Sequence, residues 1–85
     1  MKLLKEINLH GHTLYAAKTA AMEHIGNAYN TDEEGILFIH GHNGGTAIRD
    51  YLRSPALIAD LDKDGLNVIK RLDTSKPGST VICFT

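Results

Sequence analysis

The sequence predicts an α/β chain built as a two-layer α+β sandwich, in the order β-α-β-α-β-β, with a four-stranded mixed sheet. Three observations carry this. Period-2 alternation over residues 5–9 and an unbroken apolar run at 36–39 bracket a long stretch of helical apolar spacing, the pattern of two parallel strands joined by a crossover helix. A glycine-rich segment after the second strand leads into a second helical stretch. Two aliphatic segments, 66–72 and 80–84, are separated by Lys76-Pro77-Gly78, a turn signal that makes them a closing hairpin.

The first strand places Ile7 and Leu9 on one face and Glu6, Asn8 and His10 on the other, as expected for a half-buried strand. His10-Gly11-His12 is a turn, and Thr13 is placed to cap the helix that follows. Leu14, Ala17, Ala21, Ile25 and Ala28 recur in steps of three and four, which predicts one apolar helix stripe. Alanines at 16, 17, 20 and 21 add helix propensity and a thin profile for lying close on a sheet. Polar residues 30–35 connect to Ile36-Leu37-Phe38-Ile39, whose continuous apolar run suits a strand in mid-sheet.

His40-Gly41-His42-Asn43-Gly44-Gly45 is too glycine-rich for either regular element. Gly45 or Thr46 can cap the next helix, with Ile48 and Leu52 on its buried face. Ser54-Pro55 reads as a cap and first helical residue of a short helix over 56–61. Asp60, Asp62 and Asp64 fall in a solvated loop closed by Gly65.

Composition narrows the function. The 85 residues are expected to form a single domain over 1–85, with 42% hydrophobic and 22% charged residues, ordinary globular values. Leu, Ile, Val and Phe make up about a quarter of the chain, above the roughly 20% that marks disorder. A formal charge of −1 argues against a chain coated in positive charge for wrapping nucleic acid, while leaving room for a local phosphate site. The single cysteine, Cys83, excludes an internal disulfide and a thiolate-rich zinc site. Met1-Lys2-Leu3-Leu4 briefly imitates a secretory signal, but Lys5, Glu6 and Asn8 break the apolar run too early. No stretch approaches the 18 or more apolar residues of a membrane span. A cytoplasmic protein with no membrane partner is expected.

Both His-Gly-His segments follow strands of the expected parallel pair, and the carboxyl ends of such strands form the preferred ligand crevice. A glycine-rich turn there exposes several N–H groups to an anion, so Gly44, Gly45 and Thr46 suit a phosphate. Arg49 can add a charged contact, and Arg53 lies one turn further along the same face. His10 and His40 on one rim can act as base and acid on a phosphodiester. The bland alternative is a pair of hydrogen-bonded turn residues beside glycines that merely relieve a tight turn. His12 and His42 complete a four-imidazole set of a kind that suits zinc, copper or nickel, yet no carboxylate or thiolate accompanies them in these turns, and no metal ligand is assigned. His24, mid-helix beside Glu23, is read as surface, and Cys83 as a small core residue. The aspartates of 60–64 lack the rest of a calcium loop, and the tyrosines and phenylalanines show no stacking-platform spacing.

Taken together, Ile7-Asn8-Leu9-His10-Gly11, Thr13 opening an alanine-rich helix, and Ile39-His40-Gly41-His42-Asn43-Gly44-Gly45-Thr46-Ala47-Ile48-Arg49 resemble the Smr (small MutS-related) domain family. That family carries LDLHG at its first strand end and HGxGxG before its second helix, and the resemblance spans about residues 5–84. It implies a two-layer fold like the C-terminal domain of a bacterial translation initiation factor, DNA or RNA binding, and in many members endonuclease activity, a phosphodiester hydrolase chemistry. By position, His10 matches the histidine of the first motif, and His40 with Gly41 the start of the second. Gly44 or Gly45 matches the later glycine, and Arg49 the arginine after it. The resemblance therefore implies catalysis by His10 and His40 and phosphate binding by Gly41, Gly44, Gly45 and Arg49, which Thr46 joins from the turn chemistry above; no cofactor is assigned, with a divalent cation such as magnesium left open. Two departures stand out. The loop, taken as HGHNGGT, is one residue longer than HGxGxG, and the acidic residue of LDLHG is Asn8. Asn8 shares a strand face with His10 and can hydrogen-bond to it without taking a proton, so a non-catalytic binding or adaptor module is the alternative to an endonuclease.

Overall fold

The computed structural model describes residues 5–31, 33–41 and 46–85. The elements run β1 (Lys5–Asn8), α1 (Leu14–Asn30), β2 (Gly35–Ile39), α2 (Ala47–Leu52), α3 (Pro55–Lys63), β3 (Arg71–Asp73) and β4 (Ser79–Cys83). The four strands form one mixed sheet in the order β1-β2-β4-β3. β1 and β2 are parallel, and β4 is antiparallel to both β2 and β3. This is the α+β architecture expected from the sequence, with α3 as the short helix after Ser54-Pro55.

Alternation decides which strand residues meet the helices. Ile7 pairs with Phe38, Phe38 with Thr80, and Ile36 with Ile82, so these side chains share one sheet face. Phe38, Ile36, Ile82 and Thr80 are fully buried there. α1 meets this layer with Ala17, Ala21, Ile25 and Ala28, α2 with Tyr51 and Leu52, and α3 with Leu57 and Leu61. The alanines let the α1 backbone lie close, while Ile25 supplies bulk whose truncation to alanine would cost about 2–5 kcal/mol.

Local chemistry sets the ends. Thr13 Oγ1 accepts from the Ala16 N–H at 3.1 Å and starts α1. Ser54 Oγ accepts from the Ala56 N–H at 3.2 Å, with Pro55 as first residue of α3, as the sequence predicts. Thr46 precedes α2 but makes no side-chain cap bond; its hydroxyl donates instead to Asp50 Oδ2 at 2.8 Å.

Other expectations are corrected. α3 continues to Lys63, so Asp60 and Asp62 are helical rather than in a loop, and the Asp60 carboxylate accepts the Tyr51 hydroxyl at 2.7 Å. Of the 66–72 segment only Arg71 and Leu72 are strand, β3 running Arg71–Asp73. Before it, the consecutive residues Val68 and Ile69 both pack on the core, which breaks the alternation a longer strand requires. His24 is half-buried on the edge of the α1 apolar stripe, and its Nδ1 is buried with no hydrogen-bond partner among the described residues. Among those residues no helix is long and apolar enough to cross a membrane.

Candidate functional site

Parallel pairing of β1 with β2 brings their carboxyl ends together. Asn8 lies opposite Ile39, and the Leu9 N–H donates to the Ile39 carbonyl at 2.7 Å, so the chain leaves both strands at the same rim. His10 and His40 follow immediately. A groove of about 410 Å³ opens there, lined by His10, Gly11, His12, Leu14, His40, Thr46, Ala47, Ile48 and Arg49. His10, His40, Thr46 and Arg49, predicted from separate parts of the sequence, are thus brought to one place. Gly44 and Gly45 lie outside the described residues, as does His42.

The first turn is held by its own backbone. Asn8 Oδ1 accepts the His10 backbone N–H at 2.8 Å, an Asx-type turn, and the His12 N–H donates to the Leu9 carbonyl at 3.1 Å. The Asn8 side chain therefore serves the backbone of His10 rather than its ring, which differs from the imidazole pairing that their shared strand face suggests. Gly11 completes the turn in the left-handed region, at φ +87°.

Gly41 is close to His10. A Cβ at Gly41 would stand 2.6 Å from His10 Cδ2, and its φ of +74° is one that residues with side chains rarely adopt. Both facts explain a glycine here: the His10 imidazole lies where a Gly41 side chain would be.

His40 is held quite differently. It is buried, with Nδ1 2.9 Å from the Gly41 carbonyl oxygen and Nε2 3.0 Å from Thr80 Oγ1. A carbonyl can only accept, so the network assigns the proton to Nδ1. Thr80 Oγ1 also accepts the Arg53 Nε–H at 2.9 Å, which leaves its hydroxyl proton free to be donated to an unprotonated Nε2. The Arg53 Nη2 group donates to the carbonyls of Lys76 at 2.8 Å and Ser79 at 3.0 Å. The Gly78 carbonyl accepts the N–H groups of both His40 and Gly41 at 3.0 Å. The turn between β3 and β4 is thereby fastened to the backbone at the end of β2.

Arg53 is consequently not a second arginine on a phosphate face. Carbonyls of the β3–β4 turn claim its guanidinium, and its partner Thr80 was missed by sequence reasoning. The signal was a polar residue at an inward position of β4, opposite Phe38, where alternation calls for an apolar one.

Arg49 stays at the surface. Its Nη2 and Nε lie 3.3 and 3.4 Å from Asp50 Oδ1. The Thr46 hydroxyl first, and then Arg49 and Arg53, hold the Asp50 carboxyl below the usual carboxylate range against the opposing effect of desolvation. An incoming anion would compete with this exposed ion pair, a contact of low intrinsic worth. Cys83 is a buried free thiol. Among the described residues no three histidine, cysteine or acidic side chains gather as metal ligands.

A sheet of order β1-β2-β4-β3 with helices over one face and a histidine-lined rim defines a small two-layer α+β fold with a groove at its strand ends. No protein-family model and no curated protein matches the chain. Among solved structures it is similar to the Smr domain of MutS2 from Thermus thermophilus, with a TM-score of 0.71 and 21% sequence identity over 96% of this chain and 99% of that one. The chain has an Smr-like fold.

Proposed function

We propose that the chain is an Smr-type nucleic-acid-binding module that takes a backbone phosphate of DNA or RNA in the rim groove. The observation that carries this is the convergence of His10, His12, Thr46 and Arg49 on one groove at the ends of two parallel strands. Arg49 supplies a planar donor fork suited to a phosphate, and the exposed His12 adds a donor. Gly44 and Gly45, read from the sequence as amide donors to the same phosphate, belong to this proposal. With a net charge of −1, only a few phosphates are neutralised. The log–log salt slope is therefore shallow, roughly −1 per phosphate.

The test is fluorescence anisotropy with labelled single-stranded and duplex DNA and RNA, comparing the natural chain with Arg49→Ala. Saturable binding that weakens at least fivefold in the variant supports the reading. Binding that ignores Arg49 speaks against it.

A second reading, phosphodiester cleavage at the same rim, is favoured by His10. Its backbone is fixed by Asn8 while its exposed ring lines the groove, which suits a general acid or base beside a held phosphate. His40, with both ring nitrogens engaged, then acts by anchoring the chain that follows β2 rather than by exchanging a proton itself. Labelled substrates incubated with magnesium and with chelator, with His10→Ala as the contamination control, separate an endonuclease from a binding module.

A further inference from the structure

The three tyrosines have unequal surroundings. Tyr51 is buried, with its hydroxyl on Asp60. Tyr29 meets the Phe84 ring edge-on at 6.1 Å. Tyr15 stands 81% exposed on the first turn of α1, where it adds nothing to the core. Its position is nevertheless specific. Leu14, the preceding residue, lines the rim groove and is itself 38% exposed. Lys18 is one turn further along α1, and its ammonium lies 5.0 Å from the Tyr51 ring centre in α2. Residues three apart share a helix flank, so the flank carrying Tyr15 and Lys18 is the one turned toward α2. Arg49 and Ile48 line the groove from the first turn of that helix. An aromatic ring beside the groove and a guanidinium in its lining therefore stand on two neighbouring helices; Leu14, Ala47 and Ile48 are apolar parts of that lining, and Tyr15 lies next to it in the chain.

We propose that Tyr15 is a base-stacking residue, and that the rim takes unpaired nucleic acid: phosphate toward Arg49, base against Tyr15. This rests on the nucleic-acid reading above and narrows it to single strands. An unpaired base has a free face to lay on an exposed aromatic ring, whereas a base inside a duplex has both faces stacked on its neighbours. Tyrosine suits this site because it orders few torsions on binding and keeps its hydroxyl in water.

The chain contains no tryptophan, so Tyr15→Trp places a single indole reporter at the site. Titration of that variant with a single-stranded oligonucleotide, and with a blunt duplex of the same sequence, reads stacking directly as quenching of tryptophan emission. Saturable quenching by the single strand and little by the duplex is expected. In parallel, Tyr15→Ala should weaken single-strand binding by about tenfold, within the range a base–aromatic stack is worth, while Tyr15→Phe stays within about twofold of the natural chain. The residue's exposure lets all three variants keep the fold. Single-strand affinity unchanged in Tyr15→Ala while Arg49→Ala still lowers it would overturn the stacking proposal and leave the binding reading standing. A natural chain that binds no oligonucleotide of either kind would overturn both.

Discussion

The Nε2 of His40 lies 3.0 Å from the hydroxyl of Thr80, a residue 40 positions away in the chain, and that hydroxyl also receives the Arg53 Nε–H. One buried oxygen thus links the strand end that opens the rim, the helix beyond it and the closing hairpin.

Replacing Thr80 by valine keeps the volume but removes that oxygen. The Arg53 N–H and the His40 Nε2 then lose their partner in a dry setting, which costs about 1–3 kcal/mol for a group left unsatisfied. Urea unfolding of Thr80→Val should show a loss in this range, and Thr80→Ser should recover most of it. Ring ¹⁵N shifts of His40 add a readout that packing alone would not move. The natural chain should report Nδ1 as the protonated nitrogen of the neutral ring, and Thr80→Val a mixture of tautomers.

Asn8 offers a different expectation from the one its sequence position suggests. Measured against LDLHG, an aspartate there should accelerate cleavage tenfold or more by pairing with the His10 ring. In the structure the Asn8 oxygen is engaged by the His10 backbone N–H, a bond aspartate makes equally well. Asn8→Asp should therefore keep stability within about 0.5 kcal/mol and any cleavage rate within about threefold, and weaken oligonucleotide binding slightly through its added charge. Asn8→Ala should lose about 0.5–1.5 kcal/mol, the ordinary worth of one hydrogen bond. Denaturant curves and single-turnover rates check the two variants.

Gly41→Ala combines two penalties. The left-handed backbone costs about 1–2 kcal/mol for a residue with a side chain, and the new methyl displaces the His10 ring. The variant should be less stable by about that amount, and its oligonucleotide affinity or cleavage should fall toward the level of His10→Ala.

Tyr51 sets an alkaline limit on stability. Burial first, and then the Asp60 carboxylate, push its phenol well above the ordinary value near 10. Above about pH 10 the unfolded tyrosine ionises while the folded one stays protonated, so the unfolded state binds fewer protons and stability falls as pH rises. The urea midpoint should decline above pH 10 in the natural chain, and less steeply in Tyr51→Phe. At the acid end, Asp50 and Asp73 titrate below the ordinary carboxylate value in the fold, Asp73 chiefly through the Ser75 backbone N–H. Their contribution is present above about pH 4 and fades as pH drops further.

Much of this architecture is legible in local chemistry. Thr13 and Ser54-Pro55 announce their helices, and alternation at residues 5–9 places Leu9 in the core and His10 outside. The rim follows from handedness and parallel pairing alone. What escaped depends on contacts between distant parts of the chain. The inward course of Arg53 needs the carbonyls of Lys76 and Ser79, and the tautomer of His40 needs Thr80; no spacing rule encodes either. The short β3 was hidden because Leu66 and Val68 pack as core while reading as strand.

Nucleic acid in the rim groove should be visible in an amide ¹H–¹⁵N chemical-shift titration with a short single-stranded oligonucleotide. Shifts should concentrate on residues 10–15 and 46–49 and shrink as salt is raised. Shifts concentrated instead on α3, or on the sheet face bearing Leu37 and Val81, with the amides of His10, His12 and Arg49 unmoved, would contradict it.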